Sequence, residues 1–506
     1  MSVDKFRESH HINRVAPSDL GLLMSAQSYR PEITKAIRKI KSFPWAPLQN
    51  LVNNVISPGP HPVYGGTYPC LKTKNVNELL ADLEPADYAD IKGISDLEKV
   101  QVERGDLLIN LTGAGSIGRV SIYYGDDLPI TNQHIARMGI KDGYDEGYVA
   151  AFLRSWWGER ALEQGVAGST GQINMVNDHV RSIPVILFNA AAQKYIGDKV
   201  RQAERLRFWA KELREDVDVV LDQFNLPTSE SPAMVNRVST TRLDARLDPR
   251  PYRTHYTALV DRIKEIENSS VIEVADLASG CPVSSSDFVE AGEVPLVRIR
   301  NIGFDEFIDL DTGVAKALHA DEAKYQAKEK MIVLGMDGIF RAQFFLNDEL
   351  PMLVNQRVAM LTANGIRAEL LTHWLNRPEG QMQLNQWAVK TTVEHTSLSD
   401  IGRVLIPRLD ENTEDGLAEK LLSARQAYRY SRFLTTCAKF LVEALIEGQL
   451  SEAELISAEQ ALQAGNDQLD RHILNRLKSD GVDGQGQALF SDLDQLYSLL
   501  QQASHS

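Results

Sequence analysis

Asn132-Gln133-His134-Ile135-Ala136 returns as Asn355-Gln356-Arg357-Val358-Ala359, 223 residues further along the chain. The same spacing links Asn13-Arg14-Val15 to Asn236-Arg237-Val238 and Tyr29-Arg30 to Tyr252-Arg253. It also links Pro184, ending Val180-Arg181-Ser182-Ile183-Pro184, to Pro407, ending Arg403-Val404-Leu405-Ile406-Pro407. Matches at one spacing, spread over most of a copy, are the mark of a duplicated domain. The period is too long for a solenoid unit, which recurs every 20–50 residues or so. Two like modules on one chain suit a target with two halves, and duplex DNA is the commonest such target.

The chain has 506 residues, 43% of them hydrophobic and 24% charged, a soluble globular composition. No apolar run is long enough to span a bilayer, and the first residues carry no apolar signal core. These features place the chain in the cytoplasm, away from membranes. Three cysteines, Cys70, Cys281 and Cys437, stand far apart. They fit a reducing compartment and give no metal site. The net charge of −15 argues against a free-standing DNA binder. The excess is uneven: residues 451–506 hold nine acids against three bases. A basic partner is one way to supply the missing grip.

Each copy has the same order of parts. A helical lead-in covers residues 1–42 in the first, with Ile33, Ile37 and Ile40 at helical spacing. In the second, residues 227–268 form a Pro/Ser-rich linker and a matching lead-in. A mixed region of short strands and turns follows, at 43–189 and 269–409. Within it, Leu107–Leu111 and Arg119–Tyr124 read as a hairpin, with Met331–Leu334 and Ala342–Phe345 as its counterpart. One helix is expected at 147–163 and its match at 367–386. Long amphipathic helices close the copies, at 190–226 and 410–450. Their apolar stripes predict antiparallel packing on one another. The tail, 451–506, has no counterpart and reads as a helix at 451–478, a break at 479–487 and a last amphipathic piece. The fold class is therefore α+β: two tandem mixed α/β domains separated by paired long helices, with pseudo-two-fold character.

Gly113-Ala114-Gly115-Ser116-Ile117-Gly118 fits GxGxxG, yet Arg-Val-Ser-Ile-Tyr-Tyr follows. A dinucleotide site needs a helix opening at the glycines, so a tight β-turn is the better reading. Asp248-Pro249-Arg250-Pro251-Tyr252 superficially resembles an amino-methyltransferase loop. Arg250 spoils the match, leaving a Pro-stiffened lead-in to a helix. No metalloprotease helix, phosphate loop or nucleophile elbow occurs, so no catalytic residue is assigned.

The residues best suited to function are polar ones on the mixed domains. Lys72, Lys74 and Asn75 follow a Pro69-led apolar pair, as Arg298, Arg300 and Asn301 follow Pro295. Lys and Arg reach phosphates or guanine edges, and Asn can pair with adenine. A solvated strand edge with an Asn turn is the plain alternative. Ser116 and Arg119 on the Gly-rich turn, and Arg341 on its counterpart, join this set. So do Ser169, Thr170, Gln172 and Asn174 on one loop, and Lys390, Thr391, Thr392 and His395 on the other. The two loops differ inside a matched frame, as readers of different bases should. Asn132-Gln133 and Asn355-Gln356 recur unchanged and read as framework.

The layout resembles the specificity subunit of type I restriction–modification systems. The likeness is carried by Gly105-Asp106-Leu107-Leu108-Ile109 with its Gly-Ser-Ile-Gly-Arg-Val continuation, by Asn-Gln-His, and by Arg-Ser-Ile-Pro-Val-Ile-Leu before a long helix. It covers about residues 43–449. It implies a protein without catalysis or cofactor of its own. Each mixed domain would read half of a split double-stranded DNA site, with the helices as ruler and dock. Two adenine methyltransferase subunits would bring S-adenosylmethionine and flip the target base. An ATP-driven motor–nuclease subunit would join for cleavage. The long lead-in, the acidic tail and the overall acidity depart from that plan. They leave room for a specificity-like subunit of another phage-defence or DNA-modification system, or for a scaffold that binds proteins.

Overall fold

Leu107–Asn110 is buried at every position and pairs on both sides, with Val120–Ile122 and with Ile135–Met138. Ser57–Pro58 completes an antiparallel four-stranded sheet. The second copy repeats the order with Ile332–Gly335 between Ala342–Phe344 and Val358–Ala363, and Ala275–Ser279 at the far side. These relations come from a computed structural model, which describes residues 13–21, 23–53, 56–94, 96–113, 115–167, 173–228, 235–244, 246–390 and 393–505. The chain divides into two units, Met1–Leu206 with Tyr430–Ser506, and Arg207–Arg429. The division cuts through both long helices, Ala190–Asp222 and Glu411–Glu447, so each unit holds half of each.

A second, smaller sheet in each unit carries the candidate residues. In the first unit Val63–Leu71 pairs antiparallel with Asp87–Asp90 and parallel with Ile130–Thr131. In the second, Val294–Val297 lies between Thr312–Val314 and, in parallel, Leu353–Val354. The second unit's main core joins its large sheet to helix residues such as Leu371, Trp374, Leu384, Val217 and Leu417. Burying side chains of this size stabilises by about 1.5–3 kcal/mol each.

Each single helix expected after the large sheet is in fact a cornered pair. Glu146–Arg154 stops at Ser155, and Trp156–Glu163 begins there. Ala368–Asn376 stops at Arg377, and Pro378–Trp387 follows. Ser155 and Arg377 are both extended, with ψ 161° and 157°. The Ser155 hydroxyl caps the new helix by accepting from Gly158 N. Pro378 does the corresponding work at a first helical position, where its missing N–H costs nothing. Gly158 and Gly380 complete the corner: an added Cβ would lie 2.1 Å from the Phe152 or Trp374 carbonyl oxygen.

The lead-ins confirm the repeat atom by atom. Asn13 donates to Tyr29 O and Asn236 to Tyr252 O, at 2.8 and 2.7 Å. Tyr29 accepts from Gly21 N and donates to Leu23 O, while Tyr252 accepts from Asp244 N and donates to Arg246 O. One ion pair returns with its charges exchanged: Asp19–Arg38 in the first copy, Arg242–Asp261 in the second. The Pro184–Pro407 match, by contrast, is a coincidence of sequence. Pro184 faces Pro47, whose equivalent Ser270 faces Leu405, so Leu405 is the true partner position. The second copy is two residues shorter by this point.

The long helices run antiparallel within the second unit. Arg214 lies over the Tyr428 ring, Asp216 pairs with Lys420 at 2.6 Å, and Val217 and Leu221 pack with Leu417 and Leu421. In the first unit Lys199 sits beside Cys437, the places equivalent to Lys420 and Asp216. There the helix partner offers a thiol instead of a carboxylate. The tail supplies the missing charge: Asp470 meets Lys199 at 2.6 Å, and both side chains are at most 2% exposed. Tyr195 and Tyr497 also donate to Asp470. The tail is three helices, Glu452–Gln463, Gln468–Asn475 and Leu493–Gln502. The single helix expected at 451–478 breaks at Gly465, whose φ of +79° is left-handed. Among the described residues no helix is long and apolar enough to cross a membrane.

Candidate nucleic-acid interface

Lys72 and Lys74 leave the end of Val63–Leu71 on a short 3-10 turn, and both reach one carboxylate. Lys72 Nζ lies 3.1 Å from Asp87 Oδ1 and Lys74 Nζ 2.8 Å from Asp87 Oδ2. Lys72 also stands 3.9 Å above the Tyr64 ring. The second unit rebuilds this group with other residues. Arg298 Nη2 is 3.2 Å from Asp311 Oδ1, Arg300 pairs with the same oxygen, and Arg298 lies over Phe288. Two cations, one carboxylate and one aromatic ring thus form a fork in each unit. Lysines have become arginines and tyrosine has become phenylalanine, while the chemistry is kept. Lys74 and Arg300 are about half exposed, 48% and 53%. Each fork carries one net positive charge and an open face.

Hydrogen bonds from Lys74 and then Lys72 hold the Asp87 carboxyl below its ordinary range. Arg300 does the same for Asp311. Both carboxylates are therefore charged at neutral pH. Burial, then the neighbouring Arg300, pulls the Arg298 guanidinium down.

Asn75 and Asn301 must be withdrawn as base readers. They are 4% and 0% exposed. Each Oδ1 accepts from the backbone N–H three residues back, Lys72 or Arg298, at 2.9 Å. Each Nδ2 donates to two carbonyls across the loop, Asp82 and Leu83 or Ile308 and Asp309. A buried amide with all these bonds made has nothing left for a base. Its work is to fix the turn that presents the cations.

The other candidates gather beside this turn. Asn110, at the end of its strand, donates to Thr73 O and Val76 O. Arg119 returns from the Gly-rich turn to pair with Asn110, and Arg341 returns to pair with Gly335. Arg119 and Arg341 are thus equivalent. Arg341 lies 4.7 Å over Phe304. Arg119 is half-buried near Arg154. Ser116 points back at Thr112 O and closes its own turn, at 3.5 Å. Gly113, Gly115 and Gly118 all have positive φ, and a strand follows them, as expected of a turn.

Asn174 bridges to Thr112, and His395 bridges to Asp337. The 223-residue spacing would set Asn174 against Ser397, and the bridges set it against His395, two residues earlier. His395 Nδ1 lies 2.6 Å from Asp337 Oδ1, and Arg357 Nη1 is 3.6 Å from Asp337 Oδ2. The first copy has Thr112, Asn174 and His134 at these places. Asn132 and Asn355 accept from the backbone of residues 134 and 357, the framework role expected. Ser169, Thr170, Gln172, Thr391 and Thr392 lie outside the described residues, as does the side chain of Lys390.

Sequence reasoning missed Asp87, Asp311, Tyr64, Phe288 and Asp337. The first four lie 8 to 15 residues from the cations they meet: Tyr64 on the same bulged strand, Asp87 on its neighbour, and Phe288 and Asp311 just before strands of the second sheet. Among the described residues no group of three or more His, Cys, Asp or Glu is placed to hold a metal. The three cysteines are free and buried. Burial pushes the Cys70 thiol up to about 11 and the Cys437 thiol up to about 12, far from a reactive thiolate.

No protein-family model and no curated protein matches the chain. Solved structures do. The S subunit of a type I restriction–modification system from M. genitalium aligns over 84% of this chain and 95% of its own, at 13% identity and a TM-score of 0.38. The HsdS subunit from Thermoanaerobacter tengcongensis aligns over 85% and 96%, at 14% identity and a TM-score of 0.26. At such scores the functional reading is carried by the duplicated geometry.

Proposed function

We propose that this chain is the non-catalytic DNA-recognition subunit of a type I-like restriction–modification assembly. Each mixed domain reads one half of a bipartite site. The observation that carries this reading is the fork built twice from different residues. A pair of cations beside an aromatic ring, at the end of a strand, suits a phosphate and its neighbouring sugar or base. The adjacent loops differ between copies in charge and hydrogen-bonding character. That is the expected behaviour of two readers facing different base pairs.

The forks cannot hold duplex DNA alone on a chain of charge −15. The remaining grip, the methyl donor and the catalytic residues belong to adenine methyltransferase partners on this reading. A motor–nuclease subunit, with its ATP, joins the same assembly.

The test is duplex binding by the assembled complex against salt concentration. Arg298→Ala with Arg300→Ala should weaken binding and flatten the salt slope by about 0.9 for each lost phosphate contact. Unchanged affinity and slope would remove that strand from the DNA. A protein-binding scaffold would show no such salt response.

A further inference from the structure

The carboxylate in each fork needs its own explanation. Asp87 is partly buried and Asp311 exposed, and ion pairs open to solvent on this scale add little to stability. Yet an acid meets the cations in both copies: Asp87 on the strand neighbouring Val63–Leu71, and Asp311 just before the neighbouring strand Thr312–Val314, one register place away from the position of Asp87. The spacing between the copies is 226 residues at the cations and 224 at the acid. The two segments differ in length by two residues, and the acids occupy adjacent rather than equivalent places in the register, yet the same triangle of two cations and a carboxylate forms.

A phosphate approaching either fork finds its place already filled by an anion. To bind, it must draw both cations away from the aspartate and accept repulsion from it. The cost falls on every phosphate alike, whatever the sequence. An arbitrary stretch of duplex offers the fork nothing in return. A matched stretch offers the loops beside it, Asn110–Arg119 and Gly335–Arg341 among them, hydrogen bonds that position the backbone against the fork.

Resting on the DNA-reading function above, we propose that Asp87 and Asp311 are specificity-determining positioning residues that restrain their paired cations from gripping DNA of arbitrary sequence. They lower backbone affinity so that base contacts decide where the domain settles.

The experiment uses the assembled complex and a duplex of arbitrary sequence, with binding followed from 50 to 200 mM salt. The variant carries Asp87→Asn and Asp311→Asn. Two freed cations should steepen the log–log salt slope by about 1.8, at roughly 0.9 each. Its affinity advantage over the parent should therefore grow roughly twelvefold on going from 200 to 50 mM. Asp87→Glu with Asp311→Glu should restore the parent slope, which a role in folding alone would not require. An unchanged slope, or weaker binding by the Asn variant, overturns the proposal. A companion variant, Lys72→Ala, Lys74→Ala, Arg298→Ala and Arg300→Ala, separates the two ideas. If it weakens DNA binding while the Asn variant changes nothing, only the role of the aspartates falls. If it also changes nothing, the forks do not touch DNA and both readings fall.

Discussion

At the residue scale, the lesson of Asn75 and Asn301 is that one repeated side chain has two readings, and burial chooses between them. An exposed asparagine could pair with adenine, and a buried one with three backbone bonds closes a loop. Replacing Asn301 by alanine strands an N–H and two carbonyls, so a loss of about 2–3 kcal/mol is expected in urea unfolding. A loss below about 0.5 kcal/mol would contradict the closing role. Lys199 and Asp470 raise the stakes further, because both charges are buried. Asp470→Ala should cost about 3–5 kcal/mol, since it leaves Lys199 uncompensated. Lys199→Met combined with Asp470→Leu should recover most of that loss, and failure to recover would assign the cost to packing instead. Burial pushes the Asp470 carboxyl up, but Lys199 and the two tyrosines outweigh it, and the net direction is down. A depressed folded value means the contribution is full above the unfolded carboxylate value of about 3.9 and fades as pH falls through the folded one. Acid titration of the Asp470→Ala variant should therefore show less loss of stability than the parent below about pH 4.

At the scale of elements, helices and strands were legible where periodicity ran unbroken. The expected long helix at 190–226 is Ala190–Asp222, and the hairpin strands fall within a residue or two of their places. The cornered helix pairs were not legible, because their apolar faces continue across the corner. Pro378 did mark one break in the sequence, and no proline marks the other. The matched glycines, Gly158 and Gly380, were the missed signal. In an ordinary helix alanine would outdo glycine by about 1 kcal/mol. At either corner it meets a carbonyl oxygen at 2.1 Å. Gly158→Ala and Gly380→Ala should each lower the thermal midpoint, and a rise would show that the corner can open without strain. The fork was half legible: the cations could be read from sequence, while their shared acid and ring could not, since register decides which strands lie side by side.

At the scale of the whole molecule, the duplication was the strongest sequence signal, and it survives in hydrogen bonds, corners, forks and one charge-exchanged ion pair. The tail is where the copies part. Its excess of acid includes the carboxylate that Lys199 needs, where Lys420 finds Asp216 on its own helix pair. No sequence pattern could have announced that exchange, because it depends on which side chain lies across the helix pair. On the proposed reading, the choice of bases would rest on loop residues whose partners are on the DNA, so neither sequence nor fold spells it out.

The central claim is that two like domains each read their own half of one DNA site. Methylome sequencing of cells expressing the assembly tests it most directly, with the natural chain and with residues 43–189 replaced by the corresponding domain of another reader. A split adenine motif that depends on the gene, with one half altered by the replacement and the other intact, is the result expected. A motif changed in both halves, or the same motif with and without the gene, would contradict it.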